Sequence, residues 1–169
     1  MSKKINNKKK NEGLLANLIF GFAIVLLIGA LVLMIVKSVN SSKQNRIKEI
    51  SYQEYSEIKN NNDYTILLLT ASYCSHCKDY KPYVNYAANE YNLEIYDIDI
   101  SDNLTEAQFN DLHSFNVIKD AYNEEGNAII PTPVTVILKN GVEIDSKAGD
   151  IGYDGFVNML EENKVIKKK

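Results

Sequence analysis

Cys74 and Cys77 are the only cysteines in the 169-residue chain, and they are separated by Ser75 and His76. A C-x-x-C pair can exchange disulfides, supply half of a zinc site, or close a small structural staple. The pair lies in Ala71-Ser72-Tyr73-Cys74-Ser75-His76-Cys77-Lys78, between a continuous apolar, β-favouring run (Tyr64 to Thr70) and a predicted helix. A sulfur at a helix N-terminus faces free backbone N–H groups and the positive end of the helix dipole. Both lower a thiol pKa below its usual value of about 8.5. The first cysteine of such a pair is the exposed one, and the second is turned inward by the helix. Cys74 is therefore expected to attack a substrate disulfide, and Cys77 to resolve the mixed disulfide that results. A zinc site would need two further ligands. Only His76 and His113 remain, and His76 sits between the cysteines with poor geometry for the same metal. A structural disulfide over so short a loop constrains the unfolded chain weakly.

Several elements must position that pair. Arg46 to Ile50 is a short strand candidate, and Ser51-x-x-Glu54 has the form of a capping box opening a helix with Tyr52, Tyr55 and Ile58 on one side. Asn60 to Asp63 reads as a turn, and Tyr64 to Thr70 as a strand buried on both faces. A helix is predicted from Cys74 to about Tyr91, interrupted at Pro82, followed by a strand at Leu93 to Ile100. Thr105 to about Tyr122 reads as helical on the spacing of Phe109, Leu112 and Phe115, and Glu124 to Ile130 as irregular. Val134 to Leu138 and Val142 to Ala148 flank Asn140-Gly141, a strong hairpin signal. Tyr153 to Asn163 is the last helix, with Phe156, Met159 and Leu160 facing in, and the tail from Lys164 is expected to fray. The order β-α-β-α-β-α-β-β-α predicts an α/β three-layer sandwich, a mixed central sheet with helices on both faces. The tyrosines Tyr73, Tyr80, Tyr83 and Tyr86 are expected to serve mostly as packing, and His113 as core or surface filler.

With the motifs in place, residues 46–163 resemble the thioredoxin family. Cys77-Lys78 followed by Pro82 is similar to the family's Cys-Lys-x-x-x-Pro, Thr132-Pro133 ahead of a β-run to its cis-proline loop, and Gly149 to the glycine ending its last strand. The resemblance implies that Pro133 packs against the cysteines, and that the backbone of Thr132, with Tyr73 nearby, holds the substrate chain. It implies a thiol–disulfide oxidoreductase acting on protein dithiols and disulfides, with no cofactor beyond the redox-active disulfide Cys74–Cys77 and no metal. Ser75 and His76 stand where the family tunes its potential; an imidazole beside Cys74 would favour the thiolate and make the disulfide more oxidising. Two positions depart from the pattern. Tyr73 replaces the usual tryptophan, and Leu68 stands where many members carry a buried aspartate, which leaves Asp97, Asp99 or water to deprotonate Cys77. The stretch between Asp99 and Pro133 is longer than in minimal members, and its helix around Phe109 to Ile118 offers a surface for a partner. A non-catalytic docking module of a secretion or maturation complex is the alternative reading of the same fold.

The N-terminal part differs from the rest in charge and hydropathy. Residues 14–36 hold no charge over 23 positions, enough for a membrane-spanning helix, which needs roughly 20. Five lysines precede this segment and a more dilute basic set follows it, so residues 1–13 are expected in the cytoplasm and the domain on the extracytoplasmic side. The apolar run is longer than a cleaved signal's and lacks a small-residue cleavage site, which predicts an uncleaved signal anchor in contact with membrane lipid. Residues 37–45 read as a linker, 46–163 as the domain and 164–169 as a basic tail. Residues 1–44 carry net +6 and residues 45–169 net −9. An acidic domain argues against nucleic acid as a partner. This arrangement resembles the bacteriocin-transport accessory proteins and other anchored bacterial thioredoxins, which implies a membrane redox partner.

Overall fold

The computed structural model describes residues 21–33, 44–60 and 63–167. The chain divides into two compact units, residues 1–43 and 44–169. Of the first, residues 21–33 are helical (α1), and their large apolar side chains, Phe22 to Leu33, are exposed. Among the described residues no helix is long and apolar enough to cross a membrane. The expected span at 14–36 lies partly outside those residues, as do most of the linker and Lys168 and Lys169.

The second unit is built on a five-stranded sheet of order β1-β3-β2-β4-β5. The strands are β1 (Ile47–Glu49), β2 (Tyr64–Thr70), β3 (Ile95–Asp99), β4 (Val134–Lys139) and β5 (Val142–Ala148). The first three are mutually parallel, while β4 runs antiparallel to β2, and β5 to β4. The parallel pairs are joined through α2 (Tyr52–Ile58) and α3 (Ser75–Glu90), as parallel neighbours require. The final hairpin turns on Asn140 (φ 49) and Gly141 (φ 78). Both are left-handed, the requirement that makes Asn-Gly the favoured two-residue loop. A Cβ on Gly141 would also collide with the Asn60 side chain.

Sequence explains where the helices start. Ser51 and Thr105 each close a full capping box, Ser51 with Glu54 ahead of α2 and Thr105 with Gln108 ahead of α4 (Glu106–His113). The exposed Glu54 is held below its ordinary pKa, chiefly by the Ser51 N–H it accepts. Alternation along the strands then divides the core. Leu67, Leu69, Ile98, Val134 and Val136 pack with Tyr55 of α2 and Leu112 of α4. Ile66, Leu68, Ile95 and Ile137 pack with Tyr80 and Val84 of α3 and with Phe156 and Leu160 of α5 (Gly152–Glu162). The result is the expected three-layer α/β sandwich, with α3 and α5 on one face of the sheet and α2 and α4 on the other.

Four expectations need correction. The helix over Thr105 to Tyr122 ends at His113. Beyond it the chain makes successive turns, Ile118 N–H to Phe115 O at 2.9 Å and Ala121 N–H to Ile118 O at 2.8 Å. Asn116 N–H goes instead to the Glu143 carboxylate and Val117 N–H to Ser146 Oγ, so this segment is stitched onto β5 while Phe115 and Ile118 still bury. Pro82 does not interrupt α3, because it lies on the exposed side, where the carbonyl one turn earlier is left to solvent. Of the four clustered tyrosines only Tyr80 is core; Tyr73, Tyr83 and Tyr86 are exposed. Just past Lys164 the chain is not frayed, since Val165 and Ile166 donate to Leu160 O and pack on the α3–α5 layer; Lys168 and Lys169 lie outside the described residues.

Candidate functional site

The site forms where β2 ends. Leu69 of β2 pairs with Val134 of β4 in antiparallel register. The residues after Thr70 and those before Val134 therefore emerge at the same edge. Cys74 is the N-cap of α3 in extended conformation, and the Cys77 N–H donates to its sulfur at 3.1 Å. The helix N-terminus thus aims a free amide at the atom that must carry negative charge. Cys74 and Cys77 are joined in a disulfide with Cα atoms 5.3 Å apart. The Thr132–Pro133 peptide is cis, and the Thr132 carbonyl oxygen lies 3.5 Å from Cys74 Sγ. Gly149 N–H donates to Pro133 O at 2.7 Å and ties this loop to the end of β5.

Both cysteines are buried, Cys74 keeping 8 % of its residue surface and Cys77 2 %. Cys74 is therefore less open than expected, with the Thr132 carbonyl against its sulfur, but it is the more exposed residue of the two. Ser75 and His76 are exposed at the start of α3, and Tyr73 is 78 % exposed beside them. Pro133 is buried and Thr132 half-buried. Tyr73, Cys74, Ser75, His76, Cys77, Thr132 and Pro133 thus border one small surface at a single sheet edge. His113 does not join them. It is buried between Phe109 and Tyr122, with Nε2 3.0 Å from Ala121 O.

Two networks hold the edge in shape. Asp99 Oδ1 accepts from Ser72 N–H at 3.2 Å and from Ser101 N–H at 2.8 Å, and Ser72 Oγ meets Ser101 Oγ at 2.9 Å. Burial pushes the Asp99 carboxyl upward, but the hydrogen bonds from Ser101 and Ser72 and the field of Lys81 outweigh it and hold the group below its ordinary value. Three residues beyond Cys77, Tyr80 Oη meets Thr135 Oγ1 at 2.9 Å in the core. Burial raises the Tyr80 pKa despite that bond, so the phenol stays neutral.

Asp97, named from the sequence as one group that could deprotonate Cys77, completes the setting together with Thr70 and Lys81, which the sequence did not single out. Asp97 is fully buried under α3; its Oδ1 accepts from Thr70 Oγ1 at 2.8 Å, and Lys81 Nζ stands 2.5 Å from its Oδ2. Lys81 was legible in principle, being four residues after Cys77 and so on the same helix face. Among the described residues no group of three or more potential ligands could hold a metal ion.

A family model described as thioredoxin matches residues 46–129. Solved structures with the same fold include a mutant thioredoxin from Halobacterium salinarum, 15 % identical with a TM-score of 0.52, covering 69 % of this chain and 88 % of that one. Thioredoxin from Plasmodium falciparum is 18 % identical with a TM-score of 0.52, covering 68 % and 97 %. Thioredoxin f2 of Chlamydomonas reinhardtii is 10 % identical with a TM-score of 0.55, covering 72 % and 99 %. At such identities the likeness concerns the fold alone. No curated protein matches the chain.

Proposed function

We propose that this chain is a thiol–disulfide oxidoreductase of the thioredoxin kind acting on protein cysteines, tethered to a membrane by residues 14–36 with its domain on the extracytoplasmic side; the thioredoxin family model matched over residues 46–129 supports the reading. One observation carries the reading: Cys74 Sγ caps the N-terminus of α3, accepts the Cys77 N–H and lies 3.5 Å from the Thr132 carbonyl beside a cis proline. In the reduced protein that amide stabilises a Cys74 thiolate. The thiolate attacks one sulfur of a client disulfide, forming a mixed disulfide and expelling the other client sulfur as a thiolate. The Cys77 sulfur then bonds to Cys74 and releases the client, so the client gains two electrons and the pair loses two. Run backwards, the same steps oxidise a client dithiol. The backbone of Thr132 is placed to pair with the client chain, and exposed His76 and Ser75 stand where they tune the potential.

The membrane reading draws support from the uncharged run 14–36, from the lysines before it, and from the exposed apolar side chains of residues 21–33. The narrower resemblance to bacteriocin-transport accessory proteins rests on that architecture and on the long segment before Pro133.

Insulin reduction by the full-length protein in detergent tests the chemistry. Activity that disappears in Cys74→Ser supports the proposal. A folded, inert protein that still captures a partner replaces it with the docking module. The potential of the pair then gives direction: near about −270 mV marks a reductase, near about −120 mV an oxidase. Since the chain has no other cysteine, a membrane-impermeant maleimide applied to intact, mildly reduced cells reports the side of the membrane. Labelling only after lysis refutes the extracytoplasmic placement.

A further inference from the structure

Asp79, Tyr83, Tyr86 and Glu90 recur at helical spacing and form one stripe, about three turns long, on the outer face of α3. Tyr83 is 48 % exposed and Tyr86 65 %, so the stripe offers two phenol rings to solvent. Tyr153 joins them from α5. Its ring centre stands 5.5 Å from that of Tyr86 in an edge contact, and its hydroxyl donates to Glu90 Oε2 at 2.5 Å. That hydrogen bond, aided by burial, raises the Tyr153 pKa, so the phenol keeps its proton. The fold does not call for the exposed rings, because α3 packs on the sheet and on α5 through Tyr80, Val84 and Ala87. A single exposed aromatic is ordinary, but neighbouring rings held in fixed geometry are what protein interfaces use at their centres.

His76 excepted, the charged groups that α3 and α5 present on this side are acids. Asp79 and Glu90 close the two ends of the stripe, and exposed Asp154 follows Tyr153. α5 contains no lysine or arginine. The two lysines of α3, Lys78 and Lys81, turn to the opposite flank, where they line a cleft with Glu49 and Asn85. From this arrangement we infer that the outer face of α3 docks a basic helix of a partner protein, with arginine side chains over the Tyr83 and Tyr86 rings and further cations on Asp79 and Glu90. The two rings are one helical turn apart, so cations that reach both must recur one turn apart on the partner. A guanidinium lies flat on a phenol ring while its N–H groups bond a carboxylate, which suits arginine better than lysine. An anionic membrane surface or an acidic protein meets the same carboxylates as repulsion. The inference does not rest on the thiol chemistry, since it needs the outer face of α3 and not its sulfurs.

The test uses the full-length protein in uncharged detergent and a synthetic, cysteine-free, alanine-based helical peptide with arginines one turn apart. Binding is read by fluorescence anisotropy of the labelled peptide at low ionic strength. Wild type should bind the peptide, and affinity should fall as salt rises. Tyr83→Ala/Tyr86→Ala should weaken binding about tenfold, the effect of two lost cation–ring contacts. Asp79→Asn should weaken it and flatten the salt dependence. Tyr122→Ala, which removes an exposed ring beside His113 on the opposite layer, should change nothing. Should the double variant lose stability through the Tyr86–Tyr153 contact, Tyr83→Ala decides alone, with about a threefold loss. A wild type that does not take up the peptide overturns the inference. So does a tyrosine variant that binds like wild type, or equal binding of a peptide of the same composition with its arginines scattered round the helix. Either result reduces the effect to attraction between a polycation and an acidic domain. Because the peptide carries no cysteine, failure here leaves the oxidoreductase reading standing, and inert cysteines leave this face standing.

Discussion

Removing either hydroxyl of the Tyr80–Thr135 pair should cost more than removing both. The two oxygens lie 2.9 Å apart in the core, and both residues are 0 % exposed. Tyr80→Phe keeps the ring and its edge contact with Phe156 at 6.4 Å between centroids, but strands the Thr135 hydroxyl away from water. Thr135→Val strands the phenol instead. Each single change should cost about 1–3 kcal/mol, most of it the penalty of the stranded group. In Tyr80→Phe/Thr135→Val nothing polar is left unpaired, so the double variant should lose less than the worse single. The coupling is on the order of 1–3 kcal/mol. With a urea slope of about 2 kcal/mol per molar, each single should lower the midpoint of the 44–169 unit by about 1 M, with the slope unchanged. The bond ties the cysteine-bearing helix to the strand that begins just after Pro133, so insulin reduction should dip in the singles and recover in the double. Strictly additive losses would refute the reasoning.

Three further outcomes follow from other parts of the fold. Phe156→Ala empties a fully buried site between α5 and α3 and should cost about 3–5 kcal/mol in urea unfolding. Thr105→Ala opens the capping box of α4 and should cost about 1 kcal/mol; no change in the midpoint would mean that α4 is held by tertiary contacts alone. Tyr52 is pushed up from 10.0 to about 12 by burial and by the hydrogen bond and charge of Asp111. Its folded pKa lies above the unfolded one, so its contribution is intact below pH 10 and is lost as pH climbs toward about 12. A urea midpoint that stays flat across that range while tyrosinate absorbance grows contradicts this.

Local chemistry was readable wherever one residue type has one structural use. Ser51 and Thr105 both satisfy N-terminal amides, Asn140-Gly141 supplies two left-handed residues, and Tyr64 to Thr70 forms a strand without polar interruption. The end of α4 was not readable. Spacing of three among Phe109, Leu112, Phe115 and Ile118 fits a helix and a series of tight turns equally well, and what decides is the capture of two amides by Glu143 and Ser146, some 30 residues away. At the site, the nearness of Cys74, Cys77 and the Thr132–Pro133 loop was legible only through the family resemblance, and its cause is the antiparallel pairing of β2 with β4, which brings both segments to one edge. Asp97 stood in the strand Leu93 to Ile100 as one of three candidates, with Asp99 and water, to deprotonate Cys77. Only the register against Leu68 shows that its side belongs to the core and that Lys81 reaches down to it.

That placement separates what the fold needs from what the chemistry needs, and the two can be set against each other. Replacing the ion pair by Asp97→Leu/Lys81→Met fills the same volume with carbon and removes the cost of desolvating a carboxylate that is 0 % exposed. Such exchanges are commonly neutral or stabilising by about 1–4 kcal/mol. Because Asp97 is one of the groups left to deprotonate Cys77, the variant should unfold at an equal or higher urea midpoint and yet resolve its mixed disulfide slowly. A purely structural pair makes the opposite forecast, a weaker fold whose two exchange steps suffer alike. If the variant is destabilised by several kcal/mol and its resolution rate is untouched, Asp97 and Lys81 belong to the scaffold, and the proton of Cys77 leaves by another way.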